Sequence, residues 1–309
     1  MFAGRDFLSM NDLSRDEIQQ LLDQAAKLKF ETKTNAQKRT LTNKVVGLVF
    51  EKPSTRTRAS FETAIFQLGG APLYLRADEL QLSRGEPIKD TARILGGYLN
   101  AIVIRTYAQK NLVDFAEYAP VPIINALSDI EHPTQIIGDM LTVVEKKGGL
   151  SGLKFVWIGD GNNVCNSWIL GGTKMGMNLT ISCPNSHEPD KEVMKNGEKL
   201  AKNAGTKIEI VHDPRKAVVG ADVLYTDVWV SMGQEKGAKK KERTFKPYQI
   251  NKKLVSLAKA DCSVMHCLPA HRGMEITDDV LEGPNSIVWQ QADNKLHSAR
   301  AILDAFVGT

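Results

Sequence analysis

The residues best suited to chemistry come in short polar clusters, each directly behind an apolar run. The first is Ser54-Thr55-Arg56-Thr57, which follows VVGLVF at 45–50 and precedes a segment with helical spacing of Phe61, Ile65 and Leu68. A helix N-terminus offers free N–H groups and the positive end of its dipole, so hydroxyls and a guanidinium placed there make an anion site. Phosphate is the natural guest. A plainer reading has Ser54 capping the helix and Arg58 pairing with Glu62 at i,i+4 spacing. That accounts for Arg58, but a cap needs one hydroxyl and no arginine. The chain has no G-x-x-x-x-G-K-[ST], so a nucleotide P-loop is not the host.

Arg105 follows the run AIVI, and His132-Pro133-Thr134-Gln135 opens another helical segment. Either residue could be unremarkable, Arg105 as a surface charge and His132 as a cap. Set beside a bound phosphate, His132 could donate to a polarised carbonyl, and Gln135 could do likewise one turn on. Gly159-Asp160-Gly161-Asn162-Asn163 follows KFVWI and resembles the start of a dinucleotide fingerprint, but the third glycine and the later acidic residue are missing. The turn is read instead as a place where Asn163 faces a small ligand.

Asp227-Val-Trp-Val-Ser231-Met232-Gly233 follows DVLYT and supplies a carboxylate and a hydroxyl suited to an amino acid's ammonium and carboxylate. The glycine-punctuated, charged stretch 233–245 then reads as a solvated loop or a closing lid, and its basic run Lys239-Lys240-Lys241 has no evident role. His266 and Cys267 end the run SVMH. Neighbours on a strand point to opposite faces, which argues against a Cys–His dyad and for a substrate-contacting Cys267 beside a structural His266.

These clusters need an architecture that brings strand ends together. Apolar runs at 45–50, 72–75, 101–104 and 121–125 alternate with helical stretches near 56–68, 88–99 and 109–117. The alternation resumes with runs at 154–159, 178–182, 207–211, 222–226, 263–266 and 286–289, and a last helix at 291–307 has an apolar stripe of Ala292, Leu296, Ala299, Leu303 and Phe306. This pattern predicts an α/β fold of two doubly wound parallel-sheet domains joined by helices, with the active site in the cleft between them. The glycine cluster after the helical stretch 133–147 sets the expected boundary, giving domains 1–147, completed by the C-terminal helix 291–309, and 148–290.

Composition agrees with a globular enzyme. At 309 residues with 42% hydrophobic and 25% charged content the chain suits two cores. A net charge of +4, spread thinly except at 239–243, favours small anionic ligands over nucleic acid. Cys165, Cys183, Cys262 and Cys267 form no CxxC pair and have no histidine at metal-ligand spacing, which predicts reduced thiols. The N-terminal sequence has no signal-like apolar region and no run reaches a membrane span, so a cytoplasmic location is expected.

The ordered set STRTR, HPTQ, DVWVSMG and HCLP resembles the carbamoyltransferase family along nearly the whole chain, and the last two motifs resemble its ornithine-specific branch. Aspartate-specific members carry HPLP and lack the SMG loop, while putrescine and N-acylornithine relatives also depart at that loop. The resemblance implies transfer of a carbamoyl group from carbamoyl phosphate to L-ornithine, without metal, cofactor or covalent enzyme intermediate. It implies that Ser54, Thr55, Arg56 and Thr57 hold the phosphate, with Arg105, His132 and Gln135 on the carbonyl and amino groups. Asn163, Asp227, Ser231 and Met232 would bind ornithine, and Cys267 and Leu268 would lie between the substrates. Gln81 matches a residue that reaches a neighbouring subunit's site, implying a homotrimer or a multiple of one. The C-terminal pattern E/D-N-R-x-H reads Asp293-Asn294-Lys295-Leu296-His297 here, so Lys295 keeps the charge of the usual arginine without its bidentate fork.

Overall fold

A computed structural model describes residues 2–34, 36, 38–230 and 237–308. The chain divides into two compact units, one of residues 1–141 with 293–309 and the other of residues 142–292. The first break thus falls inside the helix Pro133–Lys147, ahead of the glycine cluster that the sequence pointed to, and the second falls inside the helix Val288–Val307.

In the first unit, strands β1 (Val45–Phe50), β2 (Ala71–Arg76), β3 (Ala101–Arg105) and β4 (Ile123–Leu127) form a parallel sheet in the order β2-β1-β3-β4. The central strands β1 and β3 are apolar along nearly their whole length because helices cover both faces of such a sheet. β2 lies at the edge and is mostly exposed. Gly47 in β1 is a packing requirement: a Cβ there would come within 2.6 Å of Leu99 Cδ1. The core gathers Val49, Ile102, Ile104, Leu112, Phe115 and Ile123.

In the second unit, β5 (Lys154–Ile158), β6 (Asn178–Ser182), β7 (Ile208–Ile210), β8 (Val223–Thr226) and β9 (Ser263–His266) form a parallel sheet in the order β7-β6-β5-β8-β9. Trp157 stacks on Tyr225 and Phe155 on Trp168, at ring separations of 5.1 and 4.2 Å. In each sheet the order reverses once, between β1 and β3 and between β5 and β8. Such reversal points open a crevice at the carboxyl ends of the strands, where α/β sheets hold their ligands.

Two expectations change. The run 286–289 is not a strand: Ser286 makes only an isolated bridge to Val264, and Val288 already begins the last helix. A four-residue apolar run carries no period of its own, so the longer helix absorbs it. The charged stretch 233–245 is not all loop either, since Ala238–Phe245 is helical, while Ser231 to Lys236 lie outside the described residues. Among the described residues no helix is long and apolar enough to cross a membrane.

Candidate active site

In the first unit the chain leaves β1 through Glu51 and Lys52 and enters the helix Thr55–Gln67 at Ser54, whose hydroxyl accepts from Thr57 N at 3.3 Å. Ser54 is therefore the cap, and its own hydroxyl hydrogen is available to an anion at the helix tip. Arg58 is exposed and occupied elsewhere, its Nε 2.9 Å from Glu62 Oε1 and its guanidinium 3.5 Å over the Tyr74 ring. Arg56 and Ser54 are half-buried, Thr55 is exposed and Thr57 is buried.

Next to this tip stands Arg105, at the end of β3 and only 6% exposed. The β3–β4 register shifts between Ile104 and Arg105, so Arg105 pairs with Leu127 where regular pairing would give Ala126. Such irregularities re-aim the side chain at a strand end. Glu51 holds the segment that follows: its carboxylate accepts from Thr106 Oγ1 at 2.6 Å, Tyr107 N at 2.8 Å and Asn111 Nδ2 at 3.1 Å. Lys52 lies 4.1 Å from the Tyr107 ring, and burial together with the Arg105 charge pushes its pKa below the usual lysine value. Neither Glu51 nor Lys52 stood out in the sequence, although both sit in the turn after the first strand.

His132 begins the helix Pro133–Lys147, where its carbonyl accepts from Gln135 N at 3.1 Å. The loop before it is braced by Glu131, which accepts from Met10 N at 3.1 Å and from the Ser9 hydroxyl. Burial, with the charges of Lys295 and Arg105, pushes the His132 pKa well below its ordinary 6.5. This favours the neutral imidazole, which keeps one N–H to donate without carrying charge. Lys295, 7% exposed, donates from Nζ to Gln135 Oε1 at 2.6 Å, and Gln135 Nε2 donates to the fully buried Asp139 at 2.8 Å. Asp139 escaped the sequence reading, though it lies one helical turn after Gln135. Gln81 is exposed on the short helical turn Gln81–Arg84.

In the second unit the two strands at the reversal point present their ends together. Asn162, at the turn after β5, caps the helix Asn163–Lys174 by accepting from Val164 N and Cys165 N at 3.0 and 3.1 Å. Its Nδ2 donates to Asp227 Oδ2 at 2.7 Å, and Val228 N donates to Asp227 Oδ1 at 2.8 Å. Asn162 was missed beside Asn163, yet an Asn directly before a helical segment is a cap signal. Gly161 serves packing, not a pyrophosphate: a Cβ there would sit 2.2 Å from Pro189 N.

Strand pairing sets Thr226 opposite His266, so Asp227 and Cys267 leave the sheet side by side. Donor atoms of Asp227, His266 and Cys267 all lie within 4.8 Å of one another. His266 is thus closer to Cys267 than strand alternation suggested, because β9 ends at His266 and Leu268 turns into the left-handed region with φ +59°. Both imidazole nitrogens of His266 are engaged, Nε2 with Glu275 Oε1 at 3.1 Å and Nδ1 as acceptor from Leu268 N at 2.8 Å. His266 therefore braces the turn, and a Cys–His dyad is not formed. Ser231 and Met232 lie outside the described residues.

The first unit offers an anion cradle with neutral and charged donors suited to a carbonyl, and the second a carboxylate beside a thiol suited to an amino acid. Comparison with known proteins points the same way. Residues 5–145 match the family model described as aspartate/ornithine carbamoyltransferase, carbamoyl-P binding domain, and residues 151–306 match its Asp/Orn binding domain. The chain is 50% identical over 305 residues to the ornithine carbamoyltransferase of Pyrococcus horikoshii, spanning 99% of this chain and 96% of that protein. It is also 50% identical over 306 residues to the protein of Pyrococcus furiosus named as the anabolic ornithine carbamoyltransferase, spanning 99% and 97%. Among solved structures, the ornithine carbamoyltransferase of Pyrococcus furiosus superposes with a TM-score of 0.96 at 50% identity over 99% of this chain and 98% of that one. That of Gloeobacter violaceus gives 0.88 at 43% identity over 100% of both.

Proposed function

Because the chain belongs to the aspartate/ornithine carbamoyltransferase family, we propose that it transfers the carbamoyl group of carbamoyl phosphate to the δ-amine of L-ornithine, giving L-citrulline and phosphate. Residues 1–147, completed by 291–309, bind carbamoyl phosphate and residues 148–290 bind ornithine; the change of family model between 145 and 151 favours the first boundary, and the grouping of 293–309 with the first unit favours the second, although the Asp/Orn model runs on to 306. The relative named as anabolic favours the biosynthetic direction, toward arginine.

The phosphate lies at the tip of the helix Thr55–Gln67 among Ser54, Thr55, Arg56 and Thr57. Gln81 of a neighbouring subunit completes this cradle in a homotrimer, and its exposure on a short turn supports that role. Arg105 and neutral His132 donate to the carbamoyl oxygen. The carbonyl of Gln135, already taking one bond from Lys295, has a second lone pair for the carbamoyl amino group. Removing one such donor typically costs about 10²–10³ in kcat, because the developing oxyanion is met by dipoles and charges already in place.

Ornithine's α-ammonium is held by Asp227, with Asn163, Ser231 and Met232 around the amino acid. The δ-amine must be neutral to attack, yet an alkyl ammonium titrates near ~10.4. Cys267 and the Leu268 carbonyl orient that nitrogen as it adds to the carbamoyl carbon. The tetrahedral intermediate then collapses by breaking the bond between the carbamoyl carbon and the phosphate oxygen, the surplus proton of the nitrogen passes to the departing phosphate, and that phosphate leaves among Arg56 and its hydroxyl neighbours. None of the four cysteines forms a disulfide among the described residues, which fits a reducing compartment, the cytoplasm.

The observation that carries the reading is the placement of Asp227 and Cys267 at the ends of paired strands in the half that matches the Asp/Orn binding domain. The test is a colorimetric assay with ornithine, putrescine, N-acetylornithine and aspartate as acceptors. Citrulline formation with ornithine alone is expected. Preference for another acceptor overturns the assignment.

A further inference from the structure

The basic run Lys239-Lys240-Lys241 divides in the structure. Lys239 and Lys240 are exposed, whereas the Lys241 side chain turns inward to 14% exposure and its Nζ lies 2.6 Å from Asp160 Oδ2. Asp160 is equally enclosed, and its other oxygen, Oδ1, lies 3.1 Å from His187 Nδ1. Four residues after Lys241, Phe245 is fully buried, with its ring 4.7 Å from His187 and 6.0 Å from Trp229. One face of the helix Ala238–Phe245 is therefore fastened, by a charge and by a ring, to the turn after β5 and to the segment after β8.

That turn also holds the Asp227 carboxylate. Asp160 O accepts from Trp157 Nε1 at 2.9 Å and from Asn162 N at 2.8 Å, and Asn162 in turn donates to Asp227. Lys241 thus reaches Asp227 through two links, Asp160 and Asn162. An ion pair this enclosed is costly to break from one side, because the remaining charge is left without its partner in a partly desolvated site.

We propose that Lys241 is a positioning residue for the amino-acid substrate: its ion pair with Asp160 holds the turn from which Asn162 fixes the Asp227 carboxylate. The inference rests on the assignment of Asp227 to ornithine. The device acts on the affinity for one substrate, and it gives the third lysine of the run a function that the other two lack.

The test is steady-state kinetics on Lys241→Met, Lys241→Arg, Asp160→Asn and the double variant Asp160→Asn with Lys241→Met. Lys241→Met is expected to raise the KM for ornithine about tenfold, a loss of the size that follows when one polar link is cut. The KM for carbamoyl phosphate should stay within about twofold, and Lys241→Arg should recover most of the loss because it retains a cation on a long stem. The double variant should be no worse than the poorer single one, as for two members of one linkage. A lowered thermal midpoint with both KM values unchanged, or equal losses for the two substrates, overturns the proposal. If Asp160→Asn fails to fold, the split between the two KM values in Lys241→Met decides by itself. Should Asp227→Asn leave ornithine KM untouched, the assignment of Asp227 to ornithine fails; should Asp227→Asn raise it while Lys241→Met does not, the positioning role alone is overturned.

Discussion

Lys295 Nζ donates to Gln135 Oε1 at 2.6 Å, so the lysine that stands where the family pattern has arginine acts partly through its neighbour. One lysine arm both supplies positive charge and fixes an amide that Asp139 grips from the other side at 2.8 Å. Lys295→Met is expected to lower kcat by about 10²-fold, the typical cost of losing one preorganised donor, with ornithine KM little changed. Asp139→Leu, which frees the amide without removing the charge, should give a smaller loss in kcat. Stopped-assay kinetics on both variants check this, and equal effects would show that the charge is not the greater part.

His132 gives the protein a defined acid sensitivity. Its folded pKa lies below the unfolded 6.5 because burial and the charges of Lys295 and Arg105 oppose protonation. Above 6.5 both states are neutral and the group adds no pH dependence. Below 6.5 the unfolded chain binds a proton that the folded chain refuses, so stability falls as pH drops toward the folded pKa. The slope from this one group is up to about 1.4 kcal/mol per pH unit. Urea midpoints measured downward from about pH 7.5 should show a decline that His132→Gln reduces.

Arg56 and Arg58 should behave oppositely despite their spacing. Arg58 is held by Glu62 and the Tyr74 ring on an exposed face, and such pairs contribute little. Arg58→Ala should leave citrulline formation within about twofold of the parent, whereas Arg56→Ala should lose about 10³-fold as the phosphate charge goes unmet. Circular dichroism should show both folded.

Thiol reagents should find Cys267 first. It is half-buried, while Cys165, Cys183 and Cys262 are buried; burial pushes Cys183 and Cys262 up to about 12 and Cys165 well above its ordinary value. Mass spectrometry after brief iodoacetamide treatment should report one dominant site, protected by ornithine together with phosphate. Labelling of Cys183 at a comparable rate would contradict this.

The proposed sharing of sites in a trimer should show in mixed assemblies. Subunits carrying Gln81→Ala and subunits carrying Arg56→Ala, each inactive alone, should regain activity when refolded together, because some sites then combine two intact halves. Recovery absent from mixtures that form trimers by light scattering would argue for self-contained sites.

Much of this architecture was legible along the chain. Central parallel strands are apolar along nearly their whole length, which made β1 and β5 readable, and polar clusters directly after such strands pointed to the ligand ends of the sheets. Ser54, Arg105, His132, Asp227 and Cys267 could be singled out because each follows an apolar run or opens a helix, although a cap or a surface charge accounts for Ser54, Arg105 or His132 taken alone.

Pairing between residues distant in sequence was settled only by the folded chain. Nothing local to Lys295 says that it meets Gln135, or to Lys241 that it meets Asp160; nothing in the dipeptide Asn162-Asn163 says which of the two turns to Asp227. Sequence periodicity reports which face of an element is buried, since burial repeats with the helix or the strand. It carries no record of which charge on one element will neutralise a charge on another, because that depends on sheet order and on where each strand ends.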